Sequence, residues 1–231
     1  MWDAGTLGIV EEPGGLRAFF DDGTRIEDLA EKLGRPSESV RQEEEVDWGQ
    51  VSRDSFRPVL VGERFYLVPP WCNDPAPDGR IRLEVNPGMA CGTGYHPCTQ
   101  LCLEALERYL KPGDSVLDVG TGSGILSQAA ALLGAGFIVG CDVDENAVGV
   151  ARERVGSVLY VGSADGACSR SFDVIVANIS ASAIEELLPE FARVRNSRST
   201  LIVSGFPETE IVEGIDAIAV LGMDGWVCLV S

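Results

Sequence analysis

The sequence carries a single histidine, His96, and no Cys-x-x-Cys pair among its seven cysteines. Such a set does not supply the ligands of a structural zinc site, and no metal is expected. The cysteines, at positions 72, 91, 98, 102, 141, 168 and 228, are odd in number. That argues against a disulfide framework and for reduced thiols in a cytoplasmic setting. No apolar run approaches the roughly 20 residues of a membrane span. The opening MWDAGTLGIVEEPGG has neither the basic start nor the long apolar core of a signal peptide. Basic residues are scarce as well: 18 Lys and Arg stand against 36 Asp and Glu, a net charge of −18. A nucleic-acid binder needs a basic face to replace phosphate counterions, and the few cations here are scattered, so no direct nucleic-acid contact is expected. The acidity itself has two readings, solubility or a surface that attracts a basic protein partner, and charge alone leaves both open.

Apolar residues make up 45% of the chain, ample for a sizeable core. Residues 5–10 and 16–20 read as two short strands joined by a turn at EEPGG. In TRIEDLAEKLG, Thr24 and Glu27 form a capping-box pattern, Ile26, Leu29, Ala30 and Leu33 share a helical face, and Gly34 ends the helix. SVRQEEEV reads as an exposed strand, and VLVGERFYLVPPW as a strand pair. CNDPAPDG is dense in turn formers and reads as a linker. These segments predict a small α+β unit over 1–68, a linker over 69–80 and a second domain over 81–231.

In the second domain strands and helices alternate. IRLEV, SVLDVG, FIVGCDV, SVLYVG, FDVIVAN and TLIVSG read as strands. PCTQLCLEALERYL, GILSQAAALLGA, ENAVGVARERV and ASAIEELLPEFARV read as helices, and IDAIAVLGMDGWVCLVS as a closing hairpin. The alternation implies an α/β fold, a doubly wound and mostly parallel sheet covered on both faces.

The most informative motif is VLDVGTGSG, residues 116–124, where a strand runs into Gly120, Gly122 and Gly124 and then a helix. Glycine suits a sharp bend that must touch a ligand closely. A dinucleotide loop reads G-x-G-x-x-G so that pyrophosphate can sit on the helix N-terminus. Here the third glycine comes one residue early, and Asp118 stands at the strand tip, where a carboxylate repels pyrophosphate and suits a cationic amino group. Asp118 can alternatively brace the loop. Asp142 ends the next strand and is positioned to accept ribose hydroxyls, with Asp144 as helix cap. Asp165, in SADGA after the third strand of the series, is either an acceptor for the adenine amino group or a plain turn residue. Together these features favour S-adenosyl-L-methionine over NAD.

The run NPGMACGTGYHPCTQ (86–100), followed by VLDVGTGSGIL, GCDVDENAV and VIVANIS, closely resembles the ribosomal protein L11 methyltransferase (PrmA) family. VGERFYLVPPW upstream and WVCLV at 226–230 are similar to that family too. The resemblance implies a class I, Rossmann-like S-adenosylmethionine-dependent methyltransferase domain with a seven-stranded sheet, preceded by a substrate-recognition domain. It implies methylation of amino groups on a protein, in that family a ribosomal protein. It carries cofactor contacts onto Thr99, Gly120, Asp142 and Asn178. Cys98 stands where the family usually has threonine. Residues 1–69 are short for the family's βαββαβ unit, so a truncated ferredoxin-like domain is expected.

In that frame Asn178 is the catalytic candidate. Its amide oxygen, with the carbonyl of Ile179 or Ser180, would accept hydrogens from the attacking amine. His96 is a proton acceptor or a brace for the glycine-rich loop, which is expected to close with Met89 and Cys91 as an apolar wall. Four rivals remain. A base-modifying enzyme would show Asn-Pro-Pro-Tyr where this chain has Asn-Ile-Ser-Ala. The others are a small-molecule N-methyltransferase, a non-catalytic S-adenosylmethionine-binding module and an NAD oxidoreductase.

Overall fold

The computed structural model describes residues 6, 8–12, 15–20, 25–34, 36, 56–86 and 94–231. The chain divides into two compact units, Met1–Ser52 and Arg53–Ser231. In the first, Gly8–Glu12 (β1) and Gly15–Phe19 (β2) form an antiparallel hairpin with Glu12 opposite Gly15. Helix Ile26–Leu33 (α1) follows and ends at Gly34, whose N–H reaches the carbonyls of Ala30 and Glu31. Thr24, half of the expected capping box, lies outside the described residues. Arg25 holds the N-cap position and makes no side-chain capping bond. The SVRQEEEV segment also lies outside the described residues.

The second unit holds two sheets. Val59–Val61 (β3), Phe65–Val68 (β4) and Ile81–Glu84 (β5) form the smaller, with β3 antiparallel and β5 parallel to β4. The sequence reading placed β3 and β4 in the N-terminal unit and β5 in the next domain, with a linker between. The division at 52/53 puts all three strands together, and the reason is apolar. Val61, Phe65, Leu67, Leu83 and Val85 are buried in one cluster with Leu101, Leu103 and Leu106 of helix Pro97–Tyr109 (α2). The Glu107 carboxylate of α2 also accepts the N–H groups of Glu63 and Arg64, each at 2.9 Å. Residues 69–80 thus form a crossover between parallel neighbours.

The larger sheet comprises Ser115–Val119 (β6), Phe137–Asp142 (β7), Val158–Val161 (β8), Phe172–Asn178 (β9), Arg195–Pro207 (β10), Ala219–Met223 (β11) and Trp226–Val230 (β12). Its order is β11-β12-β10-β9-β6-β7-β8. Neighbours from β10 through β9, β6 and β7 to β8 are parallel, and β12 runs antiparallel to both β10 and β11. This is the doubly wound sheet with a closing hairpin that the alternation predicts. Asp224 and Gly225, both at positive φ, turn that hairpin.

Helices Ile125–Leu132 (α3), Glu145–Arg152 (α4) and Ala181–Val194 (α5) complete the unit. Val174 and Val176 of β9 join the cluster that holds α2 and α3. Ile175 and Ala177, between and beyond them, join the cluster that holds Ile184, Phe191 and Val194 of α5. Residues alternate between faces along a strand, so both faces of β9 are buried. From β6 the chain winds outward through β7 to β8, then returns to β9 on the other side of β6. The crevice beyond the carboxyl ends of β6 and β9 is therefore the switch point where doubly wound sheets bind ligands.

Gly124 starts α3 in the left-handed region, at φ 79°. A Cβ there would lie 2.9 Å from Val155 Cγ2 and 3.1 Å from Ala151 Cβ. Gly124→Ala is expected to lower the unfolding free energy by about 1–3 kcal/mol, measurable by urea denaturation. An unchanged midpoint would contradict the close packing of α3 on the segment after α4.

Candidate functional site

A cavity of about 410 Å³ opens at the switch point. Val119 walls it from the tip of β6 and Gly120, Thr121 and Gly122 from the loop that follows, Asp142 and Val143 from the end of β7, and Gly162 and Ser163 from the end of β8. Asn178 and Ile179 close it from β9, and Ala183, Glu186 and Leu187 from α5. Asp142 is held by two backbone donors. Its Oδ2 accepts the Gly122 N–H at 2.9 Å and its Oδ1 the Asp144 N–H at 3.0 Å. Each oxygen keeps a lone pair for a vicinal diol. Asp144 caps α4 by accepting the Asn146 N–H, as expected from the sequence. Val143, beside Asp142, is 79% exposed and offers an apolar wall suited to a flat base.

Three expected contacts lie elsewhere. Asp118 is fully buried beneath the glycine loop and does not line the cavity. Its Oδ2 accepts hydrogen bonds from Thr121 Oγ1 (2.7 Å), Ser127 N–H (3.1 Å) and Ser127 Oγ (2.7 Å). The bracing reading holds, and the carboxylate is not presented to a ligand amino group. Burial pushes its pKa up, against the lowering pull of the Ser127 and Thr121 hydrogen bonds. Gly124 is also absent from the lining, because its bare Cα meets the Ala151 and Val155 side chains. Asp165 sits in a short turn, Ala164–Gly166, with its side chain exposed and outside the cavity. Gly162 and Ser163, just before it, supply that wall.

A second cavity, of about 280 Å³, shares Asn178 and Ile179 with the first. Its remaining lining is His96, Cys98, Thr99, Ser180, Gly205 and Trp226. Thr99, 1% exposed in the first turn of α2, accepts a hydrogen bond from Asn178 Nδ2 at 3.1 Å. That bond fixes the amide and turns its carbonyl oxygen the other way. His96 caps α2, its Nδ1 accepting the Cys98 N–H, and its ring meets Trp226 edge-on at 4.6 Å between centroids. The bracing reading of His96 is thereby favoured. Burial pushes the Cys98 thiol pKa up, so this wall is a neutral thiol.

The sequence reading missed Trp226 and Gly205. Trp226 lies in the C-terminal hairpin, with no local pattern to link it to His96. Gly205 interrupts β10 at a bulge, and a Cβ there would strike the Ile179 backbone. A glycine inside an apolar strand was the available signal. Met89 and Cys91 lie outside the described residues.

Comparison with known proteins decides the family. The family model described as ribosomal protein L11 methyltransferase (PrmA) matches residues 13–231. A ribosomal protein L11 methyltransferase of Ralstonia pickettii is 42% identical over 205 residues, covering 84% of this chain and 68% of that protein. The chain belongs to the ribosomal protein L11 methyltransferase family. A relative from Burkholderia lata with the same name is 38% identical over 227 residues, covering 93% of this chain and 75% of its own. A crystal structure of ribosomal protein L11 methylase from Lactobacillus delbrueckii subsp. bulgaricus superposes with a TM-score of 0.69 at 27% identity, covering 76% of this chain and 97% of that one.

The chain is thus an S-adenosylmethionine-dependent methyltransferase with the class I sheet of its family. Its main cavity fits that donor. Two carboxylates, Asp142 and Glu186, line the cavity without a cation among the described residues, which suits a sulfonium and opposes a pyrophosphate. No helix among the described residues is long and apolar enough to cross a membrane.

The buried carboxyl of Asp118 makes stability depend on pH. With its pKa raised, the native state holds this proton more tightly than the unfolded chain does. Its contribution favours folding below the ordinary aspartate range and is lost as pH climbs through the raised value. Asp118→Asn cannot ionise, so wild type should lose stability relative to the variant as pH rises through this window. Parallel curves in urea unfolding over a pH series would contradict the assignment.

Proposed function

We propose that the chain methylates amino groups of a ribosomal protein, as the names of its relatives indicate for them, with Asn178 at the point of transfer. One observation carries the reading: Asn178 stands in the wall common to both cavities. In this reading the 410 Å³ cavity holds the donor and the 280 Å³ cavity receives the acceptor amine. Gly120 and Gly122 bring bare backbone against the donor, Asp142 takes its ribose hydroxyls, and Val143 covers its base. Thr99 acts through Asn178, whose amide it orients.

S-adenosylmethionine supplies a methyl already activated by positive sulfur, and the protein's task is alignment. Asn178 Oδ1 accepts one hydrogen of the entering amine. The Ser180 carbonyl is taken by the Ile184 N–H at the start of α5, which leaves the Ile179 carbonyl as the second acceptor. Two acceptors aim the nitrogen lone pair across the shared wall. A lysine ammonium must first lose a proton, and a sulfonium next to it lowers its pKa. The face of the Trp226 indole attracts the cationic amine as it enters. The surplus of acidic residues suits a basic protein acceptor, read without direct nucleic-acid contact. The first unit serves as the substrate-recognition module, and the setting is cytoplasmic.

Transfer of labelled methyl groups to purified ribosomal proteins tests this directly. Label is expected on amino groups of one small basic protein. Asn178→Ala should cut the rate by about a hundredfold or more, while S-adenosylhomocysteine affinity stays within about tenfold. Label confined to small metabolites would move the assignment to a small-molecule acceptor, and donor binding without transfer would make the protein a non-catalytic module. Trp226→Ala is expected to raise KM for the acceptor by about 3- to 30-fold, the worth of one cation–π contact, with donor affinity unchanged in calorimetry.

A further inference from the structure

Helix α5 carries three glutamates, and two of them are engaged by other groups of the chain. Glu185 Oε1 accepts the Glu213 N–H at 3.0 Å. Glu190 pairs with the Arg193 guanidinium, which also donates to the carbonyls of Ala164, Asp165 and Ala167 and to Ser169 Oγ. Glu186 has no hydrogen-bond or ion-pair partner among the described residues, and of the three it is the one that lines the larger cavity. Its place there follows from helix spacing. Ala183, Glu186 and Leu187 stand at i, i+3 and i+4, one face of α5, and extend the wall that Asn178 and Ile179 begin.

The side-chain charge around the cavity is therefore of one sign. Asp142 stands on the β7 side and Glu186 on the α5 side, and no lysine, arginine or histidine is among the described residues that line it. Asp142 is occupied with the Gly122 and Asp144 N–H groups, whereas Glu186 is left to act on whatever the cavity holds. In S-adenosylmethionine the ammonium and carboxylate cancel and the sulfonium leaves a net positive charge. S-adenosylhomocysteine, its product, has lost the methyl and that charge with it. The two ligands share base, ribose and amino-acid end, so contacts to those parts do not tell them apart. A carboxylate without a partner of its own does. Glu186 is exposed, so solvent and salt screen its pull without abolishing it.

We propose that Glu186 is a specificity-determining residue: its charge makes the donor cavity favour the sulfonium over the neutral thioether left after transfer, so that product is held more weakly than fresh donor. This rests on the reading of the large cavity as the donor site. Specificity is a difference of two affinities, and a side chain that acts on the single charge by which the ligands differ shifts it directly. A unit charge across a ligand-sized gap, screened between the dielectric of water and about 20, changes an affinity by about 2- to 30-fold.

Calorimetry with S-adenosylmethionine and S-adenosylhomocysteine, in the absence of acceptor, gives the ratio of their dissociation constants. Glu186→Gln should shift that ratio in favour of the product by about 2- to 30-fold. The shift should come from weaker S-adenosylmethionine binding, with S-adenosylhomocysteine affinity little changed. Glu186→Asp keeps the charge and should keep most of the wild-type ratio. Added salt should move the wild-type ratio in the same direction as Glu186→Gln and move that of the variant less. Glu185→Gln provides the control, because it removes the same charge one residue away, outside the cavity lining. A shift in Glu186→Gln that neither Glu186→Asp nor Glu185→Gln shares supports the proposal. An unchanged ratio in Glu186→Gln, an equal shift in Glu185→Gln, or a Glu186→Asp ratio equal to that of Glu186→Gln overturns it. Failure of wild type to bind either ligand would instead overturn the placement of the donor.

Discussion

A single oxygen of one buried carboxylate ties together three pieces around which the larger cavity is built. Asp118 Oδ2 gathers the Thr121 hydroxyl from the glycine loop and both the N–H and hydroxyl of Ser127 from the first turn of α3. Strand tip, loop and helix are thereby held by one atom. The loop's own N–H groups then tie it to β7: those of Gly120 and Thr121 donate to the Cys141 carbonyl and that of Gly122 to the Asp142 carboxylate. A carboxylate beneath a helix start also suits the partial positive charge there. Shape in this cavity is set from below, by a residue that does not line it.

This division of labour explains what was and was not legible in the chain. The alternation of apolar strands and helices, and the loop at 120–124, sufficed for the doubly wound sheet and its switch point. The direction of Asp118 was a matter of parity. It lies two residues from Val116, which joins the cluster beneath α2 and α3, while Val119 shares the opposite face with Leu117 and reaches the cavity. Period two along the strand contains that information, but which face carries α3 comes only from the winding. Asp165 shows a different limit. It sits exposed in a three-residue turn outside the cavity lining, and spacing does not reveal the sense of a short turn.

Other features are non-local and left little mark. The His96–Trp226 contact joins residues far apart in the chain, one just before α2 and one in the last strand. Arg193 reads as an ordinary charged residue near a helix end, where a cation is welcome on general grounds. Its neighbours in space are 24 to 29 residues away. The small sheet shows the same limit: β5 alternates like a strand of the main sheet, yet it pairs with β4 because Leu67 and Leu83 share a cluster under α2. Local pattern specified the strand, and packing chose its partner.

The two cavities draw on different stretches of the chain. Every wall of the larger one lies between Val119 and Leu187, whereas the smaller one also needs Gly205 and Trp226. β12, which carries Trp226, is the last strand in sequence but not the edge of the sheet, since it inserts between β10 and β11. A polypeptide leaves the ribosome N-terminus first. During synthesis every wall of the larger cavity is therefore translated while the smaller one still lacks its aromatic wall. The smaller cavity is thus the last to be completed, by the closing hairpin.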